Sequence, residues 1–155
     1  MERRVDIISD THGYLAPELL RAIEGCDLLI HAGDITSESN YAELEVSVPV
    51  LRAVLGNNDG YYNYGPDVPR VNEFTYEGVR FSVAHYAEDL PLASSNVAVC
   101  GHTHRPRIDR VHGVSGDQSR VGIAAAWQTG GLHRTAYGRG RPRAICRDHR
   151  LITFF

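Results

Sequence analysis

Short apolar, β-branched runs recur along the first two-thirds of this 155-residue chain, and each stops at a polar or glycine-containing turn. Val5-Asp6-Ile7-Ile8 leads into Ser9-Asp10-Thr11-His12-Gly13, and Leu28-Leu29-Ile30 into His31-Ala32-Gly33-Asp34. The stretch from Val48 to Leu55 leads into Gly56-Asn57-Asn58-Asp59-Gly60, Arg80 to Ala84 into His85, and Val97 to Cys100 into Gly101-His102-Thr103-His104. Runs of this length and composition read as strands. Helix signals lie between them. Leu15, Leu19, Leu20 and Ile23 fall at helical spacing, with Pro17 suited to a first turn and Gly25 to a stop. Thr36 or Ser37 is placed to cap a helix over Glu38 to Val46, and a short helix is expected over Glu88 to Ser95. This alternation predicts a parallel sheet with right-handed crossovers in the first half. Thr75-Tyr76-Glu77-Gly78-Val79 reads as a hairpin tip. Later, Arg107 to His112, Val121 to Trp127, Ala144 to Arg147 and Leu151 to Phe155 suit strands. The expected fold class is α/β, with two packed sheets in one domain over residues 1–155.

Charge and composition exclude several function classes. The net charge is -3, with 16 basic residues, all Arg, against 19 acidic ones. A slightly acidic chain has no global attraction to nucleic acid or to an anionic membrane. No apolar run approaches the roughly 20 residues that span a bilayer. The start, Met1-Glu2-Arg3-Arg4, leads into a short strand rather than a signal peptide's apolar core. The three cysteines, Cys26, Cys100 and Cys146, are scattered, which fits a reducing cytoplasm better than a disulfide framework. A homo-oligomer is compatible with all of this.

The histidines and carboxylates carry the functional information. Five consecutive candidate strands deliver metal-competent side chains at their carboxyl ends: Asp10 and His12, Asp34, Asn57, His85, and His102 with His104. Ligands of α/β sheets gather outside those ends, because the loops converge there. Imidazole plus carboxylate without thiolate suits Mn²⁺, Fe or Zn²⁺. Seven ligands are too many for one ion with an open position, but they suffice for two if one carboxylate bridges. Ions held about 3.5–4 Å apart can clamp a transferring phosphoryl group and turn a bridging water into hydroxide near neutral pH.

The motifs Asp10-x-His12, Gly33-Asp34, Gly56-Asn57-Asn58-Asp59, His85 and Gly101-His102-Thr103-His104 resemble those of the calcineurin-like metallophosphoesterases, above all their small single-domain prokaryotic phosphodiesterase branch. The order matches from Val5 to Ile108. The resemblance implies a four-layer α/β/β/α sandwich of two mixed sheets flanked by helices. It implies one ion held by Asp10, His12, Asp34 and His104, and another by Asp34, Asn57, His85 and His102, with Asp34 bridging. Mn²⁺ is the expected metal, with Ni²⁺, Co²⁺, Zn²⁺ or Fe as alternatives. The implied substrate is a phosphate-ester small molecule or nucleotide, preferably a diester, attacked by a bridging hydroxide. His102 and Asn57 are the residues expected to stabilise charge on the phosphoryl group, and Asp59 to orient the ligands.

This chain departs from the family pattern at three places. Many relatives carry a histidine where Asn58 stands, and that histidine can protonate the leaving group. Asn58 supplies no proton, and a general acid is worth roughly 10²–10⁴-fold. Tyr86 follows His85 where relatives usually have glycine. The Asn-Pro-Gly-Ser turn common in the family has only Gln128-Thr129-Gly130-Gly131 and Arg141-Pro142-Arg143 as distant counterparts, so no catalytic role is carried onto them. Two alternative functions remain. One is a catalytically weak or inactive binding module on the same fold, as in the eukaryotic retromer subunit. The other is nucleic-acid binding by the Arg-rich segment 134–147. Plainer readings hold for the other residues. His31 packs or hydrogen-bonds beside Asp34. His112, His133 and His149 are surface or structural. Cys100 is a small buried strand residue. Arg134, Arg139, Arg141, Arg143 and Arg147, with Tyr137, form a solvated loop.

Overall fold

The computed structural model describes residues 3–104 with their side chains and, beyond them, the backbone of strands at 107–112, 119–124, 133–137, 143–145 and 151–153. The described elements are β1 (Arg3–Ile8), α1 (Pro17–Ile23), β2 (Leu28–His31), α2 (Glu38–Ser47), β3 (Leu51–Ala53), β4 (Val71–Tyr76), β5 (Val79–Ala84), β6 (Val97–Cys100), β7 (Arg107–His112), β8 (Ser119–Ala124), β9 (His133–Tyr137), β10 (Arg143–Ile145) and β11 (Leu151–Thr153). They form two sheets, ordered β11-β10-β9-β1-β2-β3 and β4-β5-β6-β8-β7. β1, β2 and β3 pair in parallel, as the alternation with helices requires. β9 joins β1 antiparallel, β5–β6–β8 run parallel, and β4 and β7 close their edges antiparallel, so both sheets are mixed. The chain is an α/β sandwich of two mixed sheets with helices.

Strand alternation builds the core. Val5, Ile7, Leu28 and Ile30 of the first sheet face Phe81, Val83, Val97 and Val99 of the second. The opposite face of the first sheet, through Ile8 and Leu29, packs on Leu15, Leu19, Ile23, Leu44 and Val48 from the helical layer. Each fully buried Leu, Ile or Phe contributes roughly 1.5–3 kcal/mol. The layers therefore hold the carboxyl ends of β1, β2, β3, β5 and β6 in fixed relation. Among the described residues no helix is long and apolar enough to cross a membrane.

The helix ends follow local chemistry. Pro17 opens α1, and Gly25 turns the chain beyond it at φ +75°. Ser37 rather than Thr36 caps α2, its Oγ accepting from the Asn40 N–H at 3.2 Å. The expected hairpin is present: Glu77 and Gly78, both at positive φ, join β4 to β5.

Three expectations need correction. The helix expected over Glu88 to Ser95 is a single 3-10 turn, Ala87–Asp89. Pro91 disfavours a helical Leu90 and lacks the N–H that would continue the ladder. The strand expected from Val48 to Leu55 shrinks to β3, because Val48 and Pro49 still belong to the exit from α2. The solvated Arg-rich loop is also wrong in part. Arg134 and Tyr137 lie in β9 and Arg143 in β10, with Arg134 in register with Asp6. His-Arg-Thr-Ala-Tyr carries no apolar run, and its pairing depends on a strand more than a hundred residues away. The readings placed on Ala125–Gly131, Arg139, Arg141, Pro142, Cys146, Arg147, His149, Phe154 and Phe155 lie outside the described residues.

Candidate metal centre

The loops after β1 and β2 are zipped together by backbone hydrogen bonds. Asp10 N–H donates to Gly33 O (2.9 Å), His12 N–H to Asp34 O (3.0 Å) and Gly13 N–H to Ile35 O (2.8 Å). The backbone around the site adopts unusual regions. Asp10, His12, Asp34, His102 and His104 all have φ between 47° and 65°. Left-handed conformation costs an L-residue about 1–2 kcal/mol and persists only where surrounding structure over-determines it. Among the described non-glycine residues only Thr36 and Glu77 share it, so the strain concentrates on the candidate ligands. Gly33 and Gly56 permit the close approach. A Cβ on Gly56 would sit 2.1 Å from Asp34 Oδ1, and one on Gly33 would sit 2.6 Å from His85 Nδ1.

Two groups of donor atoms converge, each within 4.8 Å of one another: Asp10, His12 and His104, and Asp10, Asp34 and His85. Asp34 Oδ2 lies between them, 3.6 Å from His85 Nε2 and 4.0 Å from His12 Nε2. His85 Nε2 is 3.0 Å from Asn57 Oδ1, while its Nδ1 is 2.8 Å from Ala32 O. His104 Nε2 lies 3.3 Å from Asp10 Oδ1, and its ring packs 5.3 Å from that of His12. His102 belongs to neither group through its ring nitrogens. It joins the site through its backbone N–H, which donates to Asp10 Oδ2 at 3.1 Å, and through its ring, 5.2 Å from His85.

Four buried aspartates show what the centre lacks. Asp6 is ion-paired with Arg4. Asp59 accepts four hydrogen bonds: Oδ2 from the N–H groups of Asp34 and Gly56 (both 2.7 Å), Oδ1 from Thr36 N–H and Tyr64 O–H (both 2.8 Å). Its acceptor capacity is spent on tying the β2 and β3 loops. Asp34 and Asp10 differ. Asp34 meets only the neutral donors of Asn58, N–H at 2.9 Å and the side-chain amide at 2.7 Å. Asp10 accepts from the Ser9 hydroxyl on Oδ2, but its buried Oδ1 has no hydrogen-bond partner among the described residues. No arginine reaches either carboxylate there. Two buried carboxylates without a balancing cation are costly, and a divalent ion among facing imidazoles removes that cost. The residues fit a metal.

The sequence reading did not single out Ser9 or Tyr64, nor Asn58 as a partner of Asp34. Ser9 and Asn58 sit inside the strand-end motifs, and Tyr64 in the Tyr61-Tyr62-Asn63-Tyr64 loop expected to bear on substrate choice, where it is instead buried and donates to Asp59. His31 is fully buried with Nε2 3.0 Å from Thr11 Oγ1, and burial pushes its pKa down to about 4, so the imidazole is neutral. Cys100 is buried in β6, as expected.

A His/Asp centre at the carboxyl ends of strands in a two-sheet α/β sandwich defines a metallohydrolase. Residues 4–123 match the calcineurin-like phosphoesterase superfamily domain, and the chain belongs to that superfamily. It is 32% identical over 121 residues to a probable metallophosphoesterase of Methanothermobacter thermautotrophicus, with 67% of this chain and 68% of that protein covered. Its fold is similar to Vacuolar Protein Sorting 29 from Cryptosporidium parvum, at TM-score 0.76 and 15% identity over 99% of this chain and 96% of that one. It is also similar to an archaeal phosphodiesterase, at TM-score 0.69 and 21% identity over 92% and 99%. The protein is a metal-dependent phosphoesterase that binds divalent metal.

Proposed function

We propose that residues 1–155 form one phosphodiesterase domain that works with two divalent ions, Mn²⁺ first among them, on a small phosphate ester or nucleotide. The two-ion reading is supported by the position of Asp34 Oδ2 between His12 and His85, one imidazole from each side of the centre. Asp10, His12, Asp34 and His104 would hold one ion, and Asp34, Asn57, His85 and His102 the other. When bound, the pair supplies Lewis acidity that activates water and offsets charge on the phosphoryl oxygens.

The diester preference rests on Asn58. Its amide is turned to Asp34 Oδ2 and has no titratable proton to give. A water molecule loses a proton to solvent and its oxygen bonds to phosphorus, the bond to the leaving oxygen breaks, and that oxygen departs with the electron pair, unprotonated. Such a step favours diesters with a stabilised leaving group. Asn57 and His102 are the residues that would donate to the charge developing on the phosphoryl oxygens. The binding-module alternative has a likeness of fold to support it, at identities that speak for fold alone, and the complete ligand set opposes it.

The test is hydrolysis of bis(p-nitrophenyl) phosphate against p-nitrophenyl phosphate with added Mn²⁺, beside a chelated control. Faster, metal-dependent diester cleavage is expected. A preference for the monoester, or a rate equal to the control, would overturn the reading.

A further inference from the structure

His102 is the candidate ligand held least directly. Its backbone N–H is engaged by Asp10, but its ring forms no hydrogen bond or ion pair among the described residues. The residue is exposed, and its ring is steadied from one side by aromatic contacts. The Tyr86 ring lies 4.5 Å from the His102 ring, tilted by 60°, and 5.2 Å from His85, edge-on at 71°. His85 and His102 are themselves 5.2 Å apart at 74°. Three rings therefore close on one another, and two of them are imidazoles of the same half of the centre. His85 has a second restraint in Ala32 O.

We propose that Tyr86 is a positioning residue for the second metal ion: its ring fixes the orientation of the His102 imidazole and so sets how tightly that ion is held. The proposal rests on the two-ion reading above. An imidazole free to turn about two bonds loses that freedom when it ligates a metal, whereas a ring already confined by packing has little left to lose. Edge-on and tilted contacts at these distances are the favourable ones for aromatic pairs. Partners that orient a ligating histidine typically change metal affinity 10- to 100-fold. Tyr86 does so by packing, a part that phenylalanine can play and glycine cannot.

The experiment is calorimetric and visible-absorption titration of the metal-free protein with Co²⁺, using wild type, Tyr86→Gly and Tyr86→Phe. Two binding events are expected in wild type. Tyr86→Gly is expected to weaken one of them at least tenfold and alter its visible spectrum, with the other unchanged, while Tyr86→Phe keeps both. Tyr86→Leu fills the space without a ring and takes the place of the glycine variant should that fail to fold. Two unchanged affinities and spectra in the ring-less variants would overturn the proposal and leave the two-ion reading standing. A single event in wild type would overturn both. Unchanged metal affinity with a raised KM for an aryl phosphodiester would move Tyr86 from the metal to the substrate and equally reject the proposal.

Discussion

The two halves of the metal centre are built differently. On the side of Asp10, His12 and His104, the imidazoles are about one-third exposed, at 32% and 35%, and their positions come from the strained turns that carry them. On the side of Asp34 and His85, both of these side chains are 2% exposed and each is held by hydrogen bonds, although Asn57 and His102 at its rim are exposed. The open half gives a substrate access. The buried half holds its ligands before any ion arrives, in surroundings where electrostatic interactions are stronger than in water. A centre that must both admit a phosphate ester and hold its ions can divide the tasks in this way. Asp10 belongs to both groups of donors, and Asp34 Oδ2 reaches to 4.0 Å from His12 Nε2 of the open one.

The carboxylate proposed to bridge the ions, Asp34, gives the largest expected effect. Asp34→Asn removes the charge proposed to bridge the two ions, and turnover should fall by roughly three orders of magnitude with loss of bound metal. Metal analysis together with the diester assay checks this, and retention of one full half would break the proposed sharing. Next come His85→Ala and His104→Ala, compared in the metal-free protein. The first strips a partner from Asn57 and from the buried Ala32 O and opens a hole, so urea denaturation should show a loss of about 2–3 kcal/mol. The second removes a part-exposed ring and should cost under about 0.5 kcal/mol. Equal losses would erase the distinction between the halves.

Asn58→His restores a possible proton donor beside Asp34. It should raise turnover of a diester with a poor alkoxide leaving group about tenfold while barely changing that of bis(p-nitrophenyl) phosphate. A pH-dependent effect concerns His31, fully buried at the end of β2. Its folded pKa, about 4, is below the ordinary 6.5 because burial disfavours the cation. The unfolded chain therefore binds the proton first. Stability is fully present above about pH 6.5 and falls as the pH drops toward 4, by at most about 1.4 kcal/mol per pH unit. His31→Gln should flatten that acid arm in pH-dependent urea melts of the metal-free protein.

Much of the fold could be read from local pattern. β1, β2, β5 and β6 announce themselves by apolar runs, α1 by Pro17 and Gly25, and α2 by Ser37, because caps and turns are decided within a few residues. β9 escaped because its residues lack an apolar run and its place depends on pairing with β1. The strand-end residues stood out because glycine-rich turns with Asp, Asn and His are rare in such regular order. Their left-handed backbone did not, since Asp and His adopt it only when neighbouring loops force it. The work of Asn58 and Asp59 was equally hidden. Both belong to one short motif, but one holds a carboxylate and the other ties backbone, and the difference lies in which donors face them.

The order of residues along the chain settles which chemical groups are present and which end of each strand bears them, because the alternation of strand and helix and the chemistry of turns act over short range. Which carboxylates are left without a compensating charge, which imidazoles stay open to water, and which ring packs against His102 emerge only when loops dozens of residues apart are brought together. Burial and charge balance are properties of the packed whole, and the buried half of the centre exists only there.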